Sequence, residues 1–495
     1  MGLILLDLPD DVLILIFALI EVPEIIRLRM SCARLALVST LPIIWTNAYH
    51  RLYFSRRYPL PAAPSASSPH SQWEADLEHR VVHAYRLGCA WSSPQMMDWN
   101  VKATFDARQG TPVTDVRFIH SRSSAARLMT ISKRIWSVIT IWEIQEERGP
   151  VAKLYEWSER GCLVHTYALY ENAVNAHSAP GDVTPFMAVG TSIKILALDA
   201  TSGLHVVKTI ASKMEPVLFQ DNLLVLCDDT HTSVLVDWRT EARALLRRDE
   251  EPAGFTSVGG AIQAVLLDMY IIIVCARCVL LFERPPVVPP VAVPSGPHSP
   301  LADFSFGWVD NMSVCETVAA EDPKSLAPLY VMLRAAPDDP WAALDDYHLD
   351  VYTLLPSLEA DGPDPLPYRF PPRHTARIRS TRGSLQCTAL RVGRFGTSIW
   401  IQPRDRSVSG LAYAMQEEIH EYAPIVRKDE RVMCSVLPGP LFSGGVDEND
   451  EVPEIRAFEI WANEANDCKA IDYDEDLGLV AVGTTRGSVV ILSAY

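Results

Sequence analysis

Residues 470–492 read Ala470-Ile471-Asp472-Tyr473-Asp474-Glu475-Asp476-Leu477-Gly478-Leu479-Val480-Ala481-Val482-Gly483-Thr484-Thr485-Arg486-Gly487-Ser488-Val489-Val490-Ile491-Leu492. Two clusters of Asp, Gly and Thr interrupt an otherwise apolar or alternating pattern, so the stretch is three short strands joined by tight turns. A fourth strand is missing there. Far upstream, Trp99 to Asp106 has an extended apolar-polar pattern and no strand group of its own. Pairing the two would remove an exposed strand edge, which predicts that the ends of the β-rich region close on each other.

The region between them is built the same way. Short strands are expected at Val113 to Phe118, Leu128 to Ile131 and Val138 to Ile144, then at Val164 to Leu169, Phe186 to Gly190, Ile193 to Leu198 and His205 to Ile210. Similar groups run through Pro216 to Leu246, Ile262 to Phe282, Phe304 to Leu355, Leu385 to Gln402 and Lys469 to Leu492. The irregular period of roughly 40–60 residues suits propeller blades carrying insertions. Ile139-Thr140-Ile141-Trp142-Glu143 resembles the third blade strand of the WD-repeat family, and Val234-Leu235-Val236-Asp237-Trp238 is a scrambled version of it. Seven blades is the expected count, with six and eight as alternatives, and two stacked sandwiches is the competing architecture.

The N-terminal segment has a different period. Pro9 suits a helix start, Asp10 and Asp11 suit its first turn, and Leu8, Val12, Leu13, Ile16, Phe17 and Ile20 recur at helical spacing. Pro23 is expected to end that helix. A second is expected from Glu24 to about Leu37, with Ile25, Leu28, Cys32 and Leu35 inward and Arg27, Arg29 and Arg34 outward, and a third segment starts near Trp45, Tyr49 and Leu52. Three helices in about 45 residues bury only a modest share of their own surface. The apolar face therefore needs a partner, either another protein or the large domain beneath it.

The order from Leu8 through Leu35 to Trp45 resembles an F-box. Departures from that family's pattern are Leu35 where an aromatic is usual, Ser31 where Val is usual and Glu24 where Asp is common. The resemblance implies a non-enzymatic substrate receptor of an SCF-type ubiquitin ligase. It implies binding to the Skp-family adaptor, and to the cullin through it, with Leu8, Pro9, Val12, Leu13, Ile16, Phe17, Ile20, Leu28 and Trp45 as the adaptor-binding residues. The expected organisation is an all-α F-box at 4–52, a linker and spacer helix at 53–95 (the helix near Trp73 to Trp91) and an all-β propeller at 96–495. The propeller would present an unidentified target protein. An adaptor-independent propeller scaffold is the alternative, and a propeller enzyme acting on a glycan or ester is a second one.

Composition narrows the remaining classes. With 44 Lys and Arg against 61 Asp and Glu the net charge is −17, and no long basic run is present, which argues against a nucleic-acid partner. Asp7, Asp10, Asp11 and Glu21 interrupt the apolar start, so neither a signal peptide nor a membrane span is expected, and Leu6 stands where a myristoylation signal needs Ser or Thr. Ten scattered cysteines read as reduced thiols of a cytoplasmic or nuclear protein. Cys275-Ala276-Arg277-Cys278 has no second pair or nearby His, and is expected to be core thiols within a strand run rather than a metal site. Asp472, Asp474 and Asp476 look like the start of a calcium loop but lack its closing Glu, and are expected to form a turn. No cofactor motif is present: Gly254 to Gly260 and Gly439 to Gly445 lack the Lys and spacing of a phosphate loop. The Pro-rich stretch Arg284 to Pro300 is expected to cross the surface in extended form, and Ala336 to Asp346 and Glu359 to Pro372 are further long loops. The acidic Gly444 to Glu454 would suit a basic peptide if the loops shared one face.

Overall fold

The computed structural model describes residues 8–52, 58–59, 70–92, 99–119, 126–145, 151–160, 167–169, 185–189, 192–199, 203–228, 232–248, 261–288, 296–307, 309–317, 326–335, 348–357, 366–379, 389–402, 430–439 and 452–494. Helices come first and strands follow, as the change of period requires.

The ring has seven sheets, most of them meanders of strands consecutive in the chain. Blade 1 spans 113–160, blade 2 spans 167–211, blade 3 spans 215–247, blade 4 spans 261–305, blade 5 spans 309–379 and blade 6 spans 390–463. Blade 7 takes three strands from Cys468–Asp474, Leu479–Thr484 and Ser488–Ser493, and its outer strand is Asn100–Asp106. The latter pairs antiparallel with Ser488–Ser493, Asn100 opposite Ser493 and Asp106 opposite Ser488. The ring is thus closed by hydrogen bonds between distant parts of the chain. Gly487, at φ 97°, makes the turn beside this seam: its carbonyl accepts from the Ala107 and Arg108 amides, and a Cβ there would strike the Arg108 carbonyl.

Fourth strands were the hardest to read from sequence. Blade 1 gains Ala152–Arg160, blade 4 gains Ala302–Ser305 and blade 5 gains Arg373–Arg379. Blade 6 draws on Glu430–Val436 and Phe458–Asn463. Two connections also cover sheet edges. Glu454–Ile455 adds a parallel fifth strand to blade 5, and the Pro-rich segment lays Val288 and His298 against Arg243 and Leu246 at the edge of blade 3. Its ends are therefore edge-pairing segments. Residues 289–295, the loops at 336–346 and 359–365, and the acidic positions 444–451 lie outside the described residues.

The core is a chain of apolar layers between adjacent sheets, for example Leu223, Val225 and Leu246 of blade 3 against Ile271, Ile273 and Phe282 of blade 4. Both faces of each blade are covered, which explains near-continuous apolar runs such as Tyr270–Cys275. Cys275 and Cys278 do not share one strand: they flank the Ala276–Arg277 hairpin turn, and both are buried. Asp474 caps the turn of blade 7, its Oδ1 accepting from the Asp476 and Leu477 amides at 3.0 Å.

Four short helices form the N-terminal bundle: α1 (Asp10–Leu19), α2 (Val22–Arg29), α3 (Ala33–Ser39) and α4 (Pro42–His50). The single second helix expected over 24–37 is split, because Cys32 is extended and caps α3 by accepting from the Leu35 amide. Pro23 and Pro42, expected as breakers, instead open α2 and α4, where the missing N–H costs nothing. A fifth helix, α5 (His70–Ser92), runs from the bundle to the ring.

Candidate functional site

The bundle core is Leu13 and Phe17 of α1, Val22 and Ile25 of α2, Leu35 and Val38 of α3, Ile44, Trp45 and Ala48 of α4, then Leu52, with Leu77 and Val81 of α5. Three residues expected at the adaptor are thus internal. Leu13 and Phe17 are 1% exposed and Trp45 is 3% exposed, its indole Nε1 donating to the Ser39 carbonyl at 2.9 Å. They hold the helices together and cannot meet a partner without unfolding the bundle. Leu8, Val12, Ile16, Ile20 and Leu28 are half-buried at its margin, and Pro9 is exposed.

The solvent face carries apolar residues that the inward period passed over. Leu15 (66% exposed) and Leu19 (84%) stand one turn apart on α1, with Met30 (77%), Leu37 (71%) and Ile43 (46%) on the neighbouring elements. The signal was present: α1 is apolar all round after Asp11, and a helix with no polar face is buried on more than one side. Arg34, one turn before Leu37 on α3, binds the start of α1 through the Leu8 carbonyl (2.7 Å) and Asp10 (2.9 Å). The start of α1 and the face of α3 bearing Leu37 are thereby held together.

α5 answers part of the burial deficit from within the chain. Arg29, expected outward, turns to α5 and forms a two-pronged pair with Glu78 at 2.6 and 3.0 Å, while its Nε donates to Ser39 Oγ and its guanidinium lies 5.5 Å from the Trp45 ring. At the other end of α5, Trp91 is fully buried in the ring, among Ile399, Val432, Ile471 and Val480, with its Nε1 donating to the Glu475 carbonyl at 3.2 Å. The rings of Trp99 (tilted) and Tyr473 (edge-on) pack against it with centroids at 4.9 and 5.4 Å. The Glu475 carboxylate beneath accepts from the Phe395 and Thr397 amides and the Thr397 hydroxyl, and burial raises its pKa to about 7. Helix α5 thus puts a side chain in each core, and Tyr58 packs both on the bundle core and on Phe395 and Val436 of the ring.

Inside the ring, the innermost strands of blades 1, 2, 6 and 7 bring Asp115, Arg117, Tyr167, Arg391 and Asp472 together. Arg117 Nε donates to Tyr167 Oη at 2.9 Å, and Tyr167 donates to Asp115 at 2.7 Å. Asp472 takes Arg117 and Arg391 at 3.5 Å each and accepts from the Phe118 amide at 2.8 Å. Burial works against the charge of Arg117, but Tyr167, Asp115 and Asp472 prevail and hold its pKa above the ordinary value; burial raises Tyr167 and Asp472 and lowers Arg391. Two guanidiniums face two carboxylates, so the group is balanced and ties four blades across the closing seam. Its carboxylates are shared with arginines and do not form the isolated pair a glycosidase would need.

The F-box domain family matches residues 5–47. No curated protein sequence matches the chain. Similar solved structures include the WD40 β-propeller domain of Doa1 (11% identity, 80% of this chain and 97% of that one, TM-score 0.42). Others are a humanized mutant of the Chaetomium thermophilum Polycomb Repressive Complex 2 bound to the inhibitor GSK343 (11% identity, 80% and 97%, TM-score 0.48) and an active polycomb repressive complex 2 in the basal state (12% identity, 81% and 98%, TM-score 0.48). The propeller itself is read from the sheet order. The chain therefore carries an F-box domain followed by a seven-bladed β-propeller, a non-catalytic receptor architecture of the kind that fits SCF substrate receptors in general. No helix among the described residues is long and apolar enough to cross a membrane.

Proposed function

We propose that this chain is the substrate-recognition subunit of an SCF-type ubiquitin ligase, working in the cytosol or nucleus. Its bundle binds a Skp-family adaptor and, through it, a cullin; its propeller holds a target protein. The observation that carries this reading is the apolar surface of Leu15, Leu19, Met30, Leu37 and Ile43 on a bundle that matches the F-box domain. Exposed Leu and Met at this density, over a core already filled by Phe17 and Trp45, mark a protein-protein contact. In this reading the exposed Pro9 and the half-buried Leu8, Val12, Ile16, Ile20 and Leu28 also contribute to the adaptor contact, and the buried Leu13, Phe17 and Trp45 hold together the helices that make it.

The chemistry is supplied elsewhere in the complex. The chain contributes proximity, raising the effective concentration of target lysines near the charged conjugating enzyme. A continuous connection helps: α5 inserts Leu77 and Val81 in the bundle core and Trp91 in the ring core, so the two move as one piece and the target keeps a defined position relative to the adaptor. The same insertion favours a second reading, an adaptor-independent scaffold in which α5 alone completes the bundle. Co-expression of the full chain with a Skp-family adaptor separates them. A stoichiometric complex that also retains the cullin is expected, and a monodisperse chain that leaves the adaptor behind would establish the scaffold.

A further inference from the structure

On the face of the ring opposite the α5 joint, two large apolar side chains stand in solvent at the tip of a blade 1 hairpin, Ile135 at 67% and Trp136 at 43% exposure. The strand Leu479–Thr484 separates the two faces: the turn at its start holds Trp91 through the Glu475 carbonyl, and the turn at its end contains Arg486 and Gly487. That second turn is bonded to residues 107–110, the Arg108 amide donating to the Gly487 carbonyl at 3.2 Å and the Gly110 amide to the Arg486 carbonyl at 3.0 Å. Arg134 Nη1 reaches the Gly110 carbonyl at 3.4 Å, and Arg160 on the neighbouring strand Ala152–Arg160 pairs directly with Trp136. Exposed Arg108, Arg134, Arg160 and Arg486 therefore gather around Ile135 and Trp136 at the seam of blades 1 and 7.

This is a local excess of positive charge on a chain whose net charge is −17. Of the carboxylates at this seam, Asp467 pairs with Arg486 at 3.2 Å and Glu159 with Lys194, while the exposed Asp106 ends the strand beside Arg108, leaving the arginines in excess. Among the described residues Arg108, Arg134 and Arg160 form no ion pair. Trp and Arg are the residue types that most often dominate interface energies, and neither Ile135 nor Trp136 belongs to the apolar layers that pack blade 1 against its neighbours.

We propose that this seam is where the propeller takes its target, and that its occupant is an extended acidic segment of another protein bearing a bulky apolar residue. The apolar residue packs on Trp136 and Ile135 while flanking carboxylates pair with Arg108, Arg134 and Arg160. This rests on the receptor reading above and adds a location and a ligand chemistry to it. The site lies on the face away from the bundle, where a bound target leaves the adaptor surface clear. A nucleic acid would meet the same arginines, but so few contacts on an acidic chain neutralise little phosphate.

The test titrates two fluorescent synthetic peptides into the full chain, one alternating Glu with Leu and Trp, the other with Lys in place of every Glu. The acidic peptide should bind, more weakly as salt rises, and Trp136→Ala should cost at least about tenfold in affinity. The double variant Arg108→Glu, Arg134→Glu should transfer preference to the Lys peptide while the melting temperature stays unchanged, since both side chains are exposed. Equal binding of both peptides, wild-type affinity in Trp136→Ala, or preferential binding of oligo(dT) or phosphatidylserine vesicles would overturn the proposal. Adaptor co-purification on the same samples separates the two claims: retained adaptor with no acidic preference sinks the seam alone, and lost adaptor binding sinks the receptor reading.

Discussion

The bundle at 8–52 and the closing blade at 468–494 use apolar residues in opposite ways. In blade 7, Val480, Ala481, Val482, Val489, Ile491 and Leu492 are all buried, because neighbouring sheets cover both faces. In the bundle, large side chains lie on both sides of the same helix: Leu13 and Phe17 inside, Leu15 and Leu19 outside. A propeller consumes its apolar pattern internally, so its recognition chemistry has to sit in turns. A small bundle with apolar residues left over displays a binding surface on the helices themselves.

The largest effect should appear where the two regions meet. Trp91→Ala opens a cavity beneath Trp99 and Tyr473 and is expected to cost about 3–5 kcal/mol, measured by chemical denaturation. Truncation at residue 95 removes the same side chain and should yield a ring less stable than the intact chain. If the ring made without α5 were fully as stable, the two regions would be separable and the comparison would lose its rigid link.

Within the ring, Asp472→Asn leaves Arg117 and Arg391 with one carboxylate fewer in the channel and should cost about 3 kcal/mol. Unchanged stability would show that the ring is closed by the strand pairing at Asn100–Asp106 alone. Glu475 adds a pH dependence at the joint. Its carboxyl holds a proton more tightly folded, with a pKa of about 7, than unfolded, near 4.5. The folded chain is therefore favoured fully below the unfolded value, and that contribution is lost as pH rises from about 4.5 to about 7, by up to about 3 kcal/mol. Glu475→Gln should flatten the slope in this window, and an unaltered slope would assign it to other groups.

Much of this was legible beforehand. The missing fourth strand after Leu492 and the unpartnered Trp99 to Asp106 were enough to predict ring closure, because an open edge is costly wherever it lies in the sequence. Seven strand groups could be told apart by the turn residues between them, although the irregular period left six and eight blades open. The fourth strands were harder: those of blades 4, 5 and 6 follow long insertions, so local pattern did not tie Ala302–Ser305, Arg373–Arg379 or Phe458–Asn463 to their blades. The bundle's order was readable, but its inside and outside were not, since a helix apolar all round gives no moment to choose by. Phe17 and Trp45 fit the family pattern because they build the fold, and Leu19 and Leu37 emerged as surface only once helices α1 and α3 had been packed. The pairing of Arg29 with Glu78 links residues far apart in sequence and left no local trace.

The most direct measurement sets core against surface in the bundle. Phe17→Ala should destabilise the bundle by about 3–5 kcal/mol. The double variant Leu19→Asp, Leu37→Asp should keep the wild-type melting temperature, because both side chains are solvent-exposed. Adaptor affinity measured on that double variant by calorimetry decides the central claim. Loss of detectable binding with an unchanged melt is the predicted result. Wild-type affinity would contradict it and return the apolar surface of the bundle to an unassigned role.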